Sequence, residues 1–220
     1  MDYRLNFDAV WRDFDLLLSG LGLGLGLAVV SIFLGSFIGL IAAFAMISKN
    51  KLWRGIAMTY VTAIRNTPIL VLIFFTFFAL PQFGVRLGKI ESFVFTLTFY
   101  AGAYLTEVFR GGLLALPTGL REAGLAIGMT EFRTKLSLTI PVMIRNVLPA
   151  LSNNFISLFK DTSLAAAIAV PELTFYARQI NVNTFRVIES WTVASLMYVF
   201  ACYFIAAGLR HYERKLAIPG

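Results

Sequence analysis

The sequence predicts an all-α membrane protein that crosses the bilayer with five helices and forms a single domain over residues 1–220. Hydrophobic residues make up 58% of the chain and charged residues only 14%. Soluble domains carry about 25% charged residues, so this composition is typical of a membrane protein. Apolar runs of roughly 20 residues recur along the chain, and each is long enough to span the hydrocarbon core as a helix.

The order of the spans also predicts how the chain is oriented in the membrane. The five predicted spans cover residues 16–47, 55–80, 92–112, 147–170 and 191–209. The loops on one side of the membrane contain eleven lysine and arginine residues, and those on the other side contain six. Cytoplasmic loops carry the positive excess. We therefore expect an external N-terminus, a cytoplasmic C-terminus and a cytoplasmic loop at residues 117–149.

Several functions are excluded by the residues that the sequence lacks. His211 is the only histidine and Cys202 the only cysteine, which excludes a histidine-based triad, a His-rich metal site and an internal disulfide. No P-loop pattern occurs, so we expect the chain itself to bind no nucleotide or other cofactor. The net charge of +7 is not concentrated in a basic block and does not indicate nucleic-acid binding. The first span is rich in glycine, which predicts close helix packing at Gly20, Gly22, Gly24, Gly26, Gly35 and Gly39.

The segment at residues 117–149 predicts two short helices joined at a bend. The first helix covers residues 120–127 and ends at Gly128, because glycine readily adopts the left-handed conformation that terminates a helix. Thr130 is a favourable N-cap for the second helix, which we expect to end at Pro141. Two amphipathic helices with exposed apolar faces beside a membrane predict a contact with another protein.

The spacing within this segment resembles the EAA coupling loop of the membrane subunits of ABC importers. That family has Glu-Ala-Ala, three residues, Gly, nine residues and Ile-x-Leu-Pro. Gly124 stands in place of the second alanine and is expected to weaken the first helix by about 1 kcal/mol. Leu138 stands where the pattern has Ile, and Ile140 stands where the pattern has Leu. The resemblance implies that a separate ATPase contacts this loop through Glu122, Ala123, Gly124, Gly128, Met129 and Pro141.

Polar side chains within the predicted spans indicate a path for a polar substrate, because ionisable groups are costly in the bilayer and are usually functional. Three polar stripes facing one another would line a water-filled cavity that binds both the ammonium and the carboxylate of an amino acid. Internal ion pairing, Arg65 with Glu107 and Lys160 with Asp161, is the alternative. Two stripes have helical spacing, Thr96-Tyr100-Tyr104-Glu107 and Asn153-Asn154-Ser157-Asp161. The candidate path residues are Arg65, Asn66, Thr67, Tyr104, Glu107, Asn154, Ser157 and Asp161.

Three further segments narrow the resemblance to permeases for polar amino acids, which include the histidine, glutamine and glutamate/aspartate systems. These segments are residues 65–68 (RNTP), 104–112 (YLTEVFRGG) and 159–164 (FKDTSL), and they occur in the family's order. Asn66 stands where the family usually has glycine. The resemblance covers about residues 16–210 and implies a type I ABC importer permease fold in the bacterial inner membrane.

The resemblance also implies a set of partners. They are a dimer of ABC ATPase subunits that binds ATP and Mg²⁺, a second permease chain of the same or a related sequence, an extracytoplasmic solute-binding protein, an amino-acid substrate and membrane lipid, with no nucleic acid. Two alternatives remain open. An ion-gradient-driven secondary amino-acid transporter would more often show inverted repeats, which five spans do not contain. A non-transporting membrane scaffold would need no charged side chains within its spans.

Overall fold

The computed structural model describes residues 3–216, and every regular element in this range is a helix. This agrees with the predicted all-α class. The helices are α1 (Asp8–Arg12), α2 (Phe14–Met46), α3 (Lys51–Arg65), α4 (Ile69–Phe74), α5 (Lys89–Leu114), α6 (Thr118–Ala126), α7 (Glu131–Thr134), α8 (Ile140–Asp161), α9 (Leu173–Thr184) and α10 (Val187–Leu216). Helix α4 continues into a π turn (Phe75–Ala79) and a 3₁₀ turn (Leu80–Phe83), and a 3₁₀ turn also follows α8 (Thr162–Ile168).

Two of the described helices are long and apolar enough to cross a bilayer, Phe14–Met46 and Val187–Lys215. The first of these helices covers the first predicted span except Ile47, and the second contains the fifth predicted span. A third candidate is the interrupted pair Lys51–Arg65 and Ile69–Phe83, which contains the second predicted span. The third predicted span falls within α5. The fourth predicted span, residues 147–170, is wrong as a continuous helix, because α8 ends at Asp161 and a 3₁₀ turn, Thr162–Ile168, follows it. Both α5 and α8 carry charged side chains. The count of five spans stays a prediction.

The second predicted span, residues 55–80, is wrong as a continuous helix. Helix α3 ends at Arg65, and α4 begins only after Pro68, whose backbone is extended with φ −57° and ψ 132°. A proline disfavours the helical conformation in the residue before it, which is Thr67 here. The chain therefore leaves the helix for three residues in the middle of this apolar segment.

The predicted helix end at Pro141 is also wrong. Helical structure is continuous from Glu131 through a π turn, Lys135–Thr139, and into α8, which also passes through Pro149. Within a regular α-helix, a proline ring collides with the carbonyl of the residue four positions earlier. The wider π turn directly before Pro141 accommodates the ring, so that the helix continues. The last part of the predicted loop at residues 117–149 is consequently helical.

The chain divides into two units, and the first comprises residues 3–33, 67–98 and 155–205. Its core consists of apolar side chains from α1, α2, α9 and α10, namely Val10, Leu17, Leu173, Ala177, Ile180, Val193 and Ala194. Gly20 lets α2 lie directly against the start of α9, because a Cβ at this position would lie 2.7 Å from the carbonyl carbon of Glu172. The fully buried Glu172 caps α9 and also accepts a hydrogen bond from Tyr198 at 2.8 Å.

The second unit comprises residues 34–66, 99–154 and 206–216 of the described chain. Small residues bring its helices together. A Cβ on Gly39 of α2 would lie 3.0 Å from the carbonyl oxygen of Gly102 in α5, and a Cβ on Gly102 would lie 2.7 Å from the hydroxyl of Tyr60 in α3. Gly112, near the end of α5, meets Val147 of α8 in the same way. The predicted packing role is therefore confirmed at Gly39 and Gly20, and it is wrong at Gly22 and Gly26, where a Cβ would meet no atom within 4 Å among the described residues.

Candidate functional site

The bend at Gly128 is the first feature that the sequence predicted correctly in detail. Gly128 has φ +86° and directly follows Ile127, the C-cap residue of α6. Its N–H donates to the carbonyl of Leu125 at 3.0 Å, and the N–H of Met129 donates to the carbonyl of Gly124 at 3.1 Å. These two hydrogen bonds form a Schellman motif, which satisfies the last carbonyls of α6. The hydroxyl of Thr130 then caps α7 by accepting from the N–H of Arg133. We refer to residues 118–139 as the hairpin.

Gly124 marks the place where the two arms of the hairpin come closest. A Cβ at this position would lie 2.8 Å from Cγ2 of Thr134 and 3.0 Å from Cδ1 of Leu138. Both Gly124 and Thr134 are buried, so neither arm has free space at this contact. Glycine is unfavourable within a helix. Here, however, it allows a contact that alanine would obstruct.

An ion pair joins the two arms on the surface of the hairpin. Nε of Arg121 donates to Oε2 of Glu131 at 3.2 Å, and Nη2 of Arg121 donates to Oε1 of the same carboxylate. The hydrogen bond from Arg121 lowers the pKa of Glu131 and raises the pKa of the guanidinium. Both groups are therefore charged at neutral pH. The Schellman motif, the glycine contact and the ion pair together hold the hairpin in one shape.

The hairpin exposes large apolar side chains. Ile127, at the end of α6, is 77% exposed, and Phe132 of α7 is 74% exposed. Leu136 in the π turn is also exposed. Large exposed apolar side chains on both arms of one hairpin favour a surface that binds another protein.

A cluster of polar side chains lies in the second unit, where the end of α3 meets α5. Nε and Nη2 of Arg110 donate to Oε2 of Glu107 at 2.9 and 2.6 Å. Nη1 of Arg65 lies 4.0 Å from Oε1 of Glu107, and its guanidinium carbon lies 5.1 Å from the ring centre of Tyr104. The predicted ion pair between Arg65 and Glu107 is therefore present but long. The tightly bound partner of Glu107 is Arg110.

Comparison with known proteins decides the family. A model described as "Binding-protein-dependent transport system inner membrane component" matches residues 35–218. The chain belongs to this family. The resemblance to ABC importer permeases that the coupling-loop pattern indicated is thereby confirmed, and the protein is a multi-pass inner membrane component rather than an enzyme.

Relatives of this membrane component match it over nearly its whole length. The glutamine transport system permease protein GlnP of Escherichia coli K12 is 34% identical over 98% of this chain and 99% of its own length. The L-cystine transport system permease protein TcyB of Bacillus subtilis is 37% identical over 96% of this chain and 91% of its own. The crystal structure of an amino acid ABC transporter with histidines matches with a TM-score of 0.87 and 30% identity, covering 97% of this chain and all of that chain. An inward-facing structure of the methionine ABC transporter MetNI, 22% identical over 94% of this chain and 99% of that chain, has the same fold with a TM-score of 0.80.

The structure brings together only some of the predicted path residues of the membrane component. Arg65, Tyr104 and Glu107 meet in the second unit. Asn66, the residue after Arg65, is exposed, and its side-chain amide donates to the carbonyl of Thr62 at 2.8 Å. The amide of Asn154, also in the second unit, donates to the carbonyl of Ala150 at 2.8 Å. These two amides therefore each satisfy a carbonyl one turn earlier.

The remaining predicted path residues, Thr67, Ser157 and Asp161, lie in the first unit. Ser157 is exposed and Asp161, the last residue of α8, is half-buried. The ion pair between Lys160 and Asp161 that the sequence left open is not among those formed within residues 3–216. Thr96 is buried, with its hydroxyl 2.9 Å from the hydroxyl of Thr76, so this member of the predicted stripe does not face an open path.

Two structural features of the membrane component were not predicted from the sequence. Arg110 was counted only as a topology signal, although it follows Glu107 by three residues, a spacing that places both side chains on one helix face. The exposed Ile127 and Phe132 were not singled out either. Their position on both sides of the predicted bend could have identified them as the apolar tip of the hairpin.

Proposed function

We propose that this chain is the membrane-spanning permease subunit of an ATP-driven importer of polar amino acids. It pairs with a second permease chain, two ABC ATPase subunits and an extracytoplasmic solute-binding protein. The observation that carries the proposal is the rigid hairpin with an exposed apolar tip, located at the position of the family's coupling loop. The amino-acid permeases that match over nearly the full length of the chain support the substrate class.

The hairpin transmits the movement of the ATPase to the membrane helices in this mechanism. ATP binding draws the two ATPase subunits together, and the hairpin follows because its apolar tip is seated in an ATPase groove. A two-state element of this kind transmits force only if it is stiff. The Schellman motif at Gly128 and the Arg121–Glu131 ion pair provide that stiffness. Hydrolysis then resets the permease after the amino acid has been released inside the cell.

Co-purification tests the contact between the hairpin and the ATPase. We expect Phe132→Asp, Glu122→Arg and Gly128→Pro to reduce ATPase recovery and uptake while the permease remains in the membrane. Glu213→Arg, which makes the same charge change in the C-terminal tail as Glu122→Arg, serves as the control and should leave both unchanged. Normal ATPase recovery and normal uptake in the three hairpin variants would contradict the coupling role.

Arg65 is the residue that we propose to bind the carboxylate of the substrate. Arg110 already occupies Oε2 of Glu107, and the 4.0 Å separation leaves Arg65 without a hydrogen bond to Oε1. No hydrogen bond joins the guanidinium of Arg65 to another side chain within residues 3–216, and its side chain is 41% exposed. A guanidinium can hold a carboxylate with two parallel hydrogen bonds. Glu107 then acts mainly by fixing Arg110.

Transport kinetics distinguish these roles. Arg65→Gln should raise the KM for amino acids strongly, and Arg65→Lys should restore only part of the affinity because lysine lacks the bidentate geometry. Arg54→Gln on the same helix is the matched control, since this exposed arginine lies outside the cluster. Equal KM values for Arg65→Gln and wild type would remove Arg65 from the path. Asp161→Asn tests a predicted path residue of the first unit separately; we expect it to alter the selectivity among amino acids, because it removes a carboxylate that binds ammonium groups.

The orientation is also part of the proposal, with the N-terminus outside and the hairpin and C-terminus in the cytoplasm. The segment between α8 and α10, which includes α9, then faces the solute-binding protein. In a Cys202→Ser background, a membrane-impermeant thiol reagent applied outside should label Val182→Cys in α9 and not Ile127→Cys in the hairpin. Both positions are well exposed, so burial does not explain a difference. The reverse labelling pattern would refute the orientation.

A further inference from the structure

A cavity of about 660 Å³ lies within the second unit, beside the hairpin. One wall is the end of α2 and the turn after it, with Phe44 and Lys49, and a second wall is the end of α5, with Leu113. The hairpin closes the third side with Arg121 and Lys135. The volume lies within the range of small-ligand sites, about 300–1,000 Å³. Nothing in the proposed import mechanism uses this space.

The charges around the cavity favour an anionic ligand. Three cationic side chains line it against two carboxylates, and one carboxylate, Glu131, is neutralised by Arg121. Lys135 lies with its ammonium 5.8 Å from the ring centre of Phe44. Within residues 3–216, no carboxylate lies within ion-pair distance of Lys49 or Lys135. Two lysines and one carboxylate, Glu122, therefore remain in the lining beside the Arg121–Glu131 pair, and the lining as a whole carries a net charge of +1.

The remaining lining narrows the chemistry of the ligand. The hydroxyl of Ser48 adds a hydrogen-bond donor, whereas that of Thr139 donates to the carbonyl of Thr134. Phe44, Ile47, Leu113 and Leu116 add apolar surface. Lysine ammonium groups and hydroxyls are common ligands of phosphate oxygens. Basic pockets between membrane helices on the cytoplasmic side bind the head groups of anionic lipids. We propose that this cavity binds the phosphate group of a glycerophosphate, either as a phospholipid head group or as a free glycerol phosphate.

A bound phosphate would connect two parts of the coupling machinery. Lys49 lies in the turn between α2 and α3, and Lys135 lies in the π turn of the hairpin. A phosphate held by both lysines ties the hairpin to the end of the first membrane helix. The position of this site on the cytoplasmic leaflet rests on the proposed orientation, but the cavity and its charges do not.

Lipid association with the purified transporter complex tests the site. The complex is reconstituted in vesicles that contain spin-labelled phosphatidylglycerol or spin-labelled phosphatidylcholine, and the immobilised fraction of each is measured. A lysine near an anionic surface contributes about 1 kcal/mol, so removal of two lysines in Lys49→Gln/Lys135→Gln should lower the preference for phosphatidylglycerol about 30-fold. Lys51→Gln/Arg54→Gln removes two neighbouring cations outside the lining and should retain most of the preference.

Added glycerol 3-phosphate distinguishes the two sources. Persistence of the preference in its presence identifies a lipid head group, and competitive loss identifies the soluble phosphate; both outcomes support the site. Equal immobilised fractions of the two lipids in wild type, together with no binding of radiolabelled glycerol 3-phosphate, would overturn the proposal. An equal loss of preference in both double variants would also overturn it. The assay needs no transport, so a failure of the import function would be recognised separately.

Discussion

Substitution of alanine for Gly124 would restore the family's usual residue and is nevertheless expected to loosen the hairpin. The added Cβ would lie 2.8 Å from Cγ2 of Thr134, whereas carbon atoms prefer separations of about 3.5–4.0 Å. Thr134 is fully buried and cannot simply turn aside. Overpacking of this kind costs about 1–3 kcal/mol, and the better helix propensity of alanine returns about 1 kcal/mol. The net loss is therefore about 1 kcal/mol.

Hydrogen exchange of the α6 amides in the purified complex measures this effect. A loss of about 1 kcal/mol in local opening free energy accelerates exchange about fivefold. Thr134→Ala removes both the methyl and the hydroxyl that obstruct the new Cβ. The hydroxyl is buried without a hydrogen-bond partner among the described residues, so its removal breaks no hydrogen bond there.

The double-mutant cycle isolates the contact from the helix propensity. In the Thr134→Ala background, Gly124→Ala should be neutral or stabilising by up to about 1 kcal/mol. The flexible end of Leu138, whose Cδ1 lies 3.0 Å from the new Cβ, can move into the space that the threonine side chain vacates, and the propensity gain remains. Amino-acid-stimulated ATPase activity should follow the same order as exchange protection. Slower exchange in Gly124→Ala alone, or the same acceleration in both backgrounds, would refute the close-packing argument.

Three further predictions follow from the described contacts. Gly20→Ala should lower the melting temperature of the complex, because the added Cβ costs about 1–3 kcal/mol of folding free energy. Gly22→Ala should be neutral or stabilising, because no atom lies within 4 Å of its added Cβ. Exchange protection of the hairpin should weaken as pH falls through the lowered pKa of Glu131, and Glu131→Gln should abolish this dependence, since the ion pair with Arg121 acts only above that pKa. Gly128→Ala should cost about 1 kcal/mol because of its positive φ, measured by hairpin exchange. Equal stability of the two glycine variants, a pH dependence that survives Glu131→Gln, or unchanged exchange in Gly128→Ala would each contradict its prediction.

The sequence predicted features that depend on local chemistry and missed those that depend on tertiary contacts. Gly128 and Thr130 each form a helix terminus from their own backbone preference or side chain, so the bend was readable from the chain. The role of Gly124 depends on Thr134, ten residues away, and no helix-propensity argument contains that contact. Pro141 is the opposite case. Local rules predict that a helix ends at this proline, but the π turn before it accommodates the ring and the helix continues.

The polar cluster was predicted in part for the same reason. Arg65 and Glu107 stand out because each is a charge within an apolar segment, and a long ion pair joins them in the structure. The sequence did not show that Arg110 donates to Oε2 of Glu107, because the position of Arg110 at the end of a predicted span indicated only a topology signal. That pairing changes the proposed chemistry, since it leaves Arg65 rather than Glu107 as the group that faces a substrate.

The energy source of uptake is the most direct test of import by this chain. The permease, its ATPase and its binding protein are reconstituted in vesicles loaded with either ATP or ADP, and uptake of labelled glutamine, cystine and histidine is followed. We expect uptake of at least one of these amino acids with ATP, none with ADP and no effect of ionophores. Uptake that continues with ADP and disappears when ionophores dissipate the ion gradients would contradict an ATP-driven mechanism and indicate a secondary transporter.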